Sequence, residues 1–127
     1  MRILLVDDQP DYRKTIAVTL RYLGCSVVEY GGAGEALAAT QHTAPPDLIV
    51  TDIDLGMGPN GFAFAEAARR QWPDLPVLFI SGLPEALPPG GAGGRSVMLQ
   101  KPFKLAELTK AMGSLIATVP PPTRAVA

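Results

Sequence analysis

Five short apolar runs recur along this 127-residue chain, and three of them, "ILLV" (3–6), "LIVT" (48–51) and "VLFI" (77–80), are almost wholly apolar. A strand with one wet face alternates apolar and polar residues, whereas a run without alternation needs cover on both faces. Two further runs, "SVVEY" (26–30) and "VMLQ" (97–100), complete the set. Between them lie helical patterns. Tyr12, Ile16, Leu20 and Leu23 form one stripe ahead of Gly24, a natural helix stop. Ala33 to Thr40 is a short alanine-rich helix, and Phe62, Ala65, Glu66 and Arg69 sit in a third that ends before Pro73. Leu105, Leu108, Met112, Leu115 and Ile116 give the last helix its apolar face. This alternation predicts an α/β domain: a doubly wound, five-stranded parallel sheet with helices on both faces.

One stretch breaks the alternation. The segment "LPEALPPGGAGGRS" (83–96), where a fourth helix belongs, carries three prolines and four glycines. An interior Gly costs a helix about 1 kcal/mol and an interior Pro about 3 kcal/mol, so this fourth helix is expected to be short or disordered. The domain is expected over residues 1–118, with 119–127 as a Pro-rich disordered tail or linker. An apolar fraction of 47% is enough for one real core at this length. The net charge of −1, with basic residues scattered, gives no reason to expect direct nucleic-acid or membrane binding. Cys25 is the sole cysteine and His42 the sole histidine, which excludes an internal disulfide and a His-cluster zinc site. A cytoplasmic setting is the expectation. The N-terminal apolar run is too short for a signal-peptide core, and no run has the length of a membrane span.

The chemistry lies where the apolar runs end. The first ends in Asp7-Asp8, the third in Asp52, the fourth in Ser81 and the fifth in Lys101. In a parallel sheet these ends share one edge, the edge where open α/β folds bind ligands. Three close carboxylates repel, and one takes up a proton unless a cation joins them. All-oxygen donors with room for water suit Mg²⁺. An aspartate in such a site can attack phosphorus, with Lys101 neutralising charge on the transferring group and Ser81 donating a hydrogen bond to it. Singly, each feature also has an ordinary structural reading: helix N-terminal charge for Asp7-Asp8, a turn for Ser81-Gly82, a solvated lysine for Lys101. Their joint occurrence at successive strand ends argues against that.

The motifs "ILLVDD", "LIVTD", "VLFISG" and "LQKPF", in this order over nearly the whole chain, closely resemble the response regulator receiver domain of bacterial two-component systems. The resemblance implies a flavodoxin-like strand order 2-1-3-4-5. It also implies a phosphoryl group passed from a sensor histidine kinase or histidine phosphotransfer protein to Asp52. It implies Mg²⁺ as cofactor, held by Asp8 directly, Asp7 through a water, Asp52, and the backbone carbonyl of Asp54. Ser81 matches the family's switch hydroxyl, Lys101 its phosphoryl-pairing lysine, and Lys101-Pro102 its cis bond. Such a domain catalyses only its own phosphorylation and dephosphorylation, and is expected here as a monomer or weak homodimer with a protein target downstream.

Two other readings share these parts. "TDIDLG" also resembles the opening of a haloacid-dehalogenase-type phosphatase, with Asp52 as nucleophile and Asp54 as acid/base. In those enzymes, however, the acidic pair follows the lysine, and after Lys101 the only acidic residue is Glu107. A phosphorylation-independent docking module is the third reading, kept open by departures from the receiver pattern. Met98 stands where receivers usually carry a switch Tyr or Phe; it is soft enough to repack but offers no rigid ring. Gly56 stands where Pro is usual, in a loop before Gly61 one residue longer than the common pattern.

Overall fold

The computed structural model describes residues 1–56, 58–82 and 95–116. Five strands, β1 (Arg2–Val6), β2 (Ser26–Tyr30), β3 (Leu48–Asp52), β4 (Val77–Ser81) and β5 (Ser96–Gln100), alternate with helices α1 (Pro10–Tyr22), α2 (Ala33–Thr40), α3 (Gly61–Gln71) and α4 (Leu105–Leu115). The sheet is parallel throughout, in the order β2-β1-β3-β4-β5, as expected. The fourth helix expected between β4 and β5, at 83–96, falls almost wholly outside the described residues, so α4 here is the helix after β5. The tail at 119–127 also lies outside them. Among the described residues no helix is long and apolar enough to cross a membrane.

The period-2 geometry of the strands sorts their side chains into two cores. Ile3, Leu5, Leu48, Val50, Leu78, Ile80 and Leu99 face α1 and α4, where Ile16, Leu20, Leu108 and Met112 meet them. Leu4, Val6, Ile49, Val77 and Phe79 face α2 and α3, meeting Ala33, Ala36, Phe64, Ala65 and Ala68. β3 and β4 are buried at every position, which is why their sequences show no alternation. Pro10 starts α1 with its fixed φ, Asn60 caps α3 by accepting the Ala63 N–H (2.9 Å), and Glu107 accepts the Lys104 N–H (2.9 Å) before α4. At the other end of α3, Arg69 donates to the carbonyls of Leu75 (3.1 Å) and Arg95 (2.7 Å), tying the helix to the strands that follow.

Two helix faces differ in phase from the sequence reading. In α3 the buried residues are Gly61, Phe64, Ala65 and Ala68, while Glu66 faces solvent. In α4, Ala111 joins Leu108, Met112 and Leu115 in the core, and Leu105 is 41% exposed.

Gly61 sets how closely α3 can approach the end of β3. Its N–H donates to the Ile53 carbonyl at 2.8 Å, and a Cβ there would lie 2.2 Å from the Asp52 carbonyl oxygen. Helix propensity alone predicts that Gly61→Ala stabilises; the backbone collision predicts the reverse. The variant is expected to lose about 1–3 kcal/mol in urea unfolding, and an unchanged or higher midpoint refutes the steric account.

Candidate functional site

Each strand end that the sequence singled out delivers its side chain to the same edge. Asp7 and Asp8 follow β1, Asp52 closes β3, Ser81 closes β4 and Lys101 follows β5. One carboxylate oxygen from each of Asp7, Asp8 and Asp52 lies within 4.8 Å of the other two, and among the described residues no other group could hold a metal ion in this way. The Lys101 Nζ donates to Asp52 Oδ2 at 2.8 Å and stands 3.6 Å from Asp7 Oδ2. The second oxygens of Asp52 and Asp7 find backbone donors: Asp52 Oδ1 accepts the Asp54 N–H (3.2 Å), and Asp7 Oδ1 accepts the Gln9 N–H (2.9 Å). Asp8, Asp52, Asp54 and Lys101 border an open cleft of about 190 Å³, lined also by Ser81 and Gly82, with Asp7 buried behind them.

The electrostatics are unbalanced. Burial pushes the Asp7 carboxyl above the usual aspartate range; the Gln9 N–H and Lys101 pull it back, and the charges of Asp52 and Asp8 push it further up. Asp7 Oδ2 is buried with no hydrogen-bond partner; its nearest cation is Lys101, beyond hydrogen-bonding distance. Burial would lower Lys101, but the Asp52 hydrogen bond and the Asp7 and Asp52 charges outweigh it and hold the ammonium above its usual value. A buried, unbonded carboxylate oxygen within an all-oxygen donor set fits a hard divalent cation. The donor set therefore suits the metal that the sequence motifs imply.

The other expected site residues are also placed. Asp54 lines the cleft, exposed, and its Oδ1 accepts the Gly56 N–H at 3.0 Å, so its side chain shapes the turn. Gly56 has φ +71°, which proline cannot adopt, and a Cβ there would stand 3.0 Å from Asp8 Oδ2. Met98 is not at the cleft. It pairs in register with Phe79 and packs on the α2/α3 side, the face that Ser81, two residues beyond Phe79, also belongs to. The Lys101-Pro102 bond is cis.

Sequence reasoning missed two neighbours. Tyr12, read as a core residue of α1, puts its ring under Lys101, with Nζ 4.2 Å from the centroid. Arg13, one of the scattered basic residues, donates to the Asp7 carbonyl at 3.0 Å and pairs with Glu29 at 3.4 Å. The available signal was their position, in the first turn of the helix that follows the acidic pair.

Residues 3–113 match the family model of the response regulator receiver domain. The response regulator receiver protein CpdR of Brucella abortus is 31% identical over 117 residues, covering 91% of this chain and 96% of that protein. A response regulator receiver protein from Sinorhizobium medicae has a TM-score of 0.85 at 29% identity, covering 94% of this chain and 97% of that one. The receiver domain of sensor histidine kinase PA1611 from Pseudomonas aeruginosa, solved with a magnesium ion coordinated in its active-site cleft, has a TM-score of 0.79 at 25% identity, covering 92% and 98%. The chain spans only 49% and 38% of two transcriptional regulators that it also matches. These similarities do not favour the phosphatase or the inert docking module. By strand order, motifs and family match, the chain belongs to the response regulator receiver domains of two-component systems.

Proposed function

We propose that this receiver takes a phosphoryl group on Asp52 from a sensor histidine kinase or a histidine phosphotransfer protein, with Mg²⁺ as cofactor. The observation that carries this reading is the meeting of Asp7, Asp8 and Asp52 with Lys101, 2.8 Å from Asp52, at the sheet edge. Asp7, Asp8, Asp52 and the backbone carbonyl of Asp54 would hold the metal. When bound, it supplies positive charge that offsets the carboxylates and the incoming phosphoryl oxygens.

A carboxylate oxygen of Asp52 attacks phosphorus as the P–N bond of a phosphohistidine breaks; the electron pair stays on the imidazole nitrogen, which is then protonated. Lys101 exchanges the Asp52 oxygen for a phosphoryl oxygen, and the Ser81 hydroxyl donates to another. Attack by water later releases phosphate and restores Asp52, so the domain catalyses only its own loading and unloading. Movement of Ser81 passes along the shared sheet face to Met98, a flexible side chain that repacks in place of a swinging ring. The receiver unit is 1–118, with 119–127 as linker or tail. The receiver contacts a protein target downstream, as a cytoplasmic monomer or weak homodimer; the net charge of −1 and the scattered basic residues support the absence of direct nucleic-acid contact by this chain.

Incubation with acetyl phosphate and Mg²⁺, followed by intact-mass measurement, is expected to give one phosphoryl adduct that Asp52→Asn abolishes. Many turnovers on a small phosphate ester, or an adduct that persists in Asp52→Asn, overturns the reading. The acidic cluster makes a second prediction. Asp7 ionises above the ordinary range in the folded state, so its cost to stability is present at neutral pH and disappears as pH falls through that raised value. In chelator at pH 7, Asp7→Asn is therefore expected to be more stable than the wild type by about 1 kcal/mol, with the advantage shrinking towards acid. Mg²⁺ should raise the melting temperature of the wild type more than that of the variant. A variant less stable than the wild type in chelator at pH 7 contradicts this account.

A further inference from the structure

We infer that Tyr12 is a positioning residue for Lys101; the inference rests on the reading of Asp52 as phosphoacceptor. The Lys101 side chain is a flexible stem whose ammonium must serve two arrangements, one on the Asp52 carboxylate and one on the phosphoryl group. Two anions compete for it: Asp52 Oδ2 at 2.8 Å and Asp7 Oδ2, without another partner, at 3.6 Å. Asp52 does not hold it through the reaction, because its carboxylate becomes an uncharged acyl group when phosphorylated, and Asp7 stands beyond hydrogen-bonding distance. The face of the Tyr12 ring, 4.2 Å from Nζ, attracts the cation whichever oxygen it is paired with.

The ring is well held for this task. Tyr12 lies in the first turn of α1, and the Phe103 ring meets it at 6.3 Å between centroids and 70° between planes. Phe103 is two residues beyond Lys101. The pair of rings therefore joins the start of α1, the helix that follows Asp7 and Asp8, to the connection that carries Lys101. Without the ring, the ammonium is free to lean towards Asp7 or solvent and is misplaced for the incoming phosphoryl group.

The test compares wild type, Tyr12→Phe and Tyr12→Leu. Side-chain NMR of Lys101 in metal-free protein should show a ring-current shift in the first two and not in the third. At saturating acetyl phosphate and Mg²⁺, the phosphorylation rate constant is expected to fall about three- to tenfold in Tyr12→Leu and to stay within about twofold of wild type in Tyr12→Phe. Mg²⁺ affinity should be the same in all three, since the carboxylates are untouched. If Tyr12→Leu does not fold, replacing Tyr12 with pentafluorophenylalanine keeps the shape while reversing the charge on the ring face, and the same rate loss is expected. A phosphorylated wild type with an equally fast Tyr12→Leu or fluorinated variant overturns this inference alone, as does a Tyr12→Phe as slow as Tyr12→Leu. A wild type that takes up no phosphoryl group overturns both this inference and the reading of Asp52.

Discussion

The ion pair between Lys101 and Asp52 is the contact on which the rest of the site depends. It joins the end of β3 to the end of β5, which are not neighbours: β4 lies between them. The side chains therefore close over the end of β4, beside Ser81. One lysine nevertheless faces three carboxylates, leaving a formal excess of two negative charges among these four groups. Low-dielectric surroundings magnify that excess, and the buried, unbonded oxygen of Asp7 is where it shows. A core designed only for stability would not carry it. The fold tolerates the imbalance because the two apolar layers beneath the sheet edge are continuous and closely packed.

The alternation of the strands also separates the tasks of the site. Asp7 continues the face of Ile3 and Leu5, Asp52 that of Leu48 and Val50, and Lys101 the parity of Val97 and Leu99, so these three gather over the α1/α4 layer. Ser81 and Met98 share parity with Phe79 and belong to the α2/α3 layer. Asp52 and Lys101 thus lie on one side of the sheet and Ser81 and Met98 on the other, with the end of β4 between them. Tyr12 fits this division, because α1 packs on the charged side.

How much of this was legible in the chain depends on the kind of pattern involved. Apolar runs, three of them almost unbroken, and the polar residues that end them identified five strands and the cluster of Asp7, Asp8, Asp52, Ser81 and Lys101, because strand direction alone brings those ends together. The phase of α3 was not legible: in "GFAFAEAARR" apolar residues, half of the positions being Gly or Ala, fall all round the helix, so no single stripe stands out. Contact with the sheet chose Phe64 and Ala68. Tyr12 was read correctly as belonging to the inner stripe of α1, but a stripe does not say that its end reaches a charged group. Gly61 likewise gave no local signal, since the atom that excludes a side chain there belongs to Asp52.

The departures from the family pattern acquire a physical sense from the same geometry. A proline at position 56 would fix φ near −65°, whereas the loop needs +71° there to turn its chain past Asp8. With no Cβ in the way, the backbone at Gly56 approaches Asp8 Oδ2, and its N–H is fastened to Asp54. The loop therefore runs close past Asp8 and is fastened to Asp54 at Gly56, while Leu55 is buried beneath it. Any group that neutralises Asp8 changes the charge against which this turn rests. The turn at residues 54–56 thus lies against the acidic cluster through its backbone, whatever side chain stands at position 98.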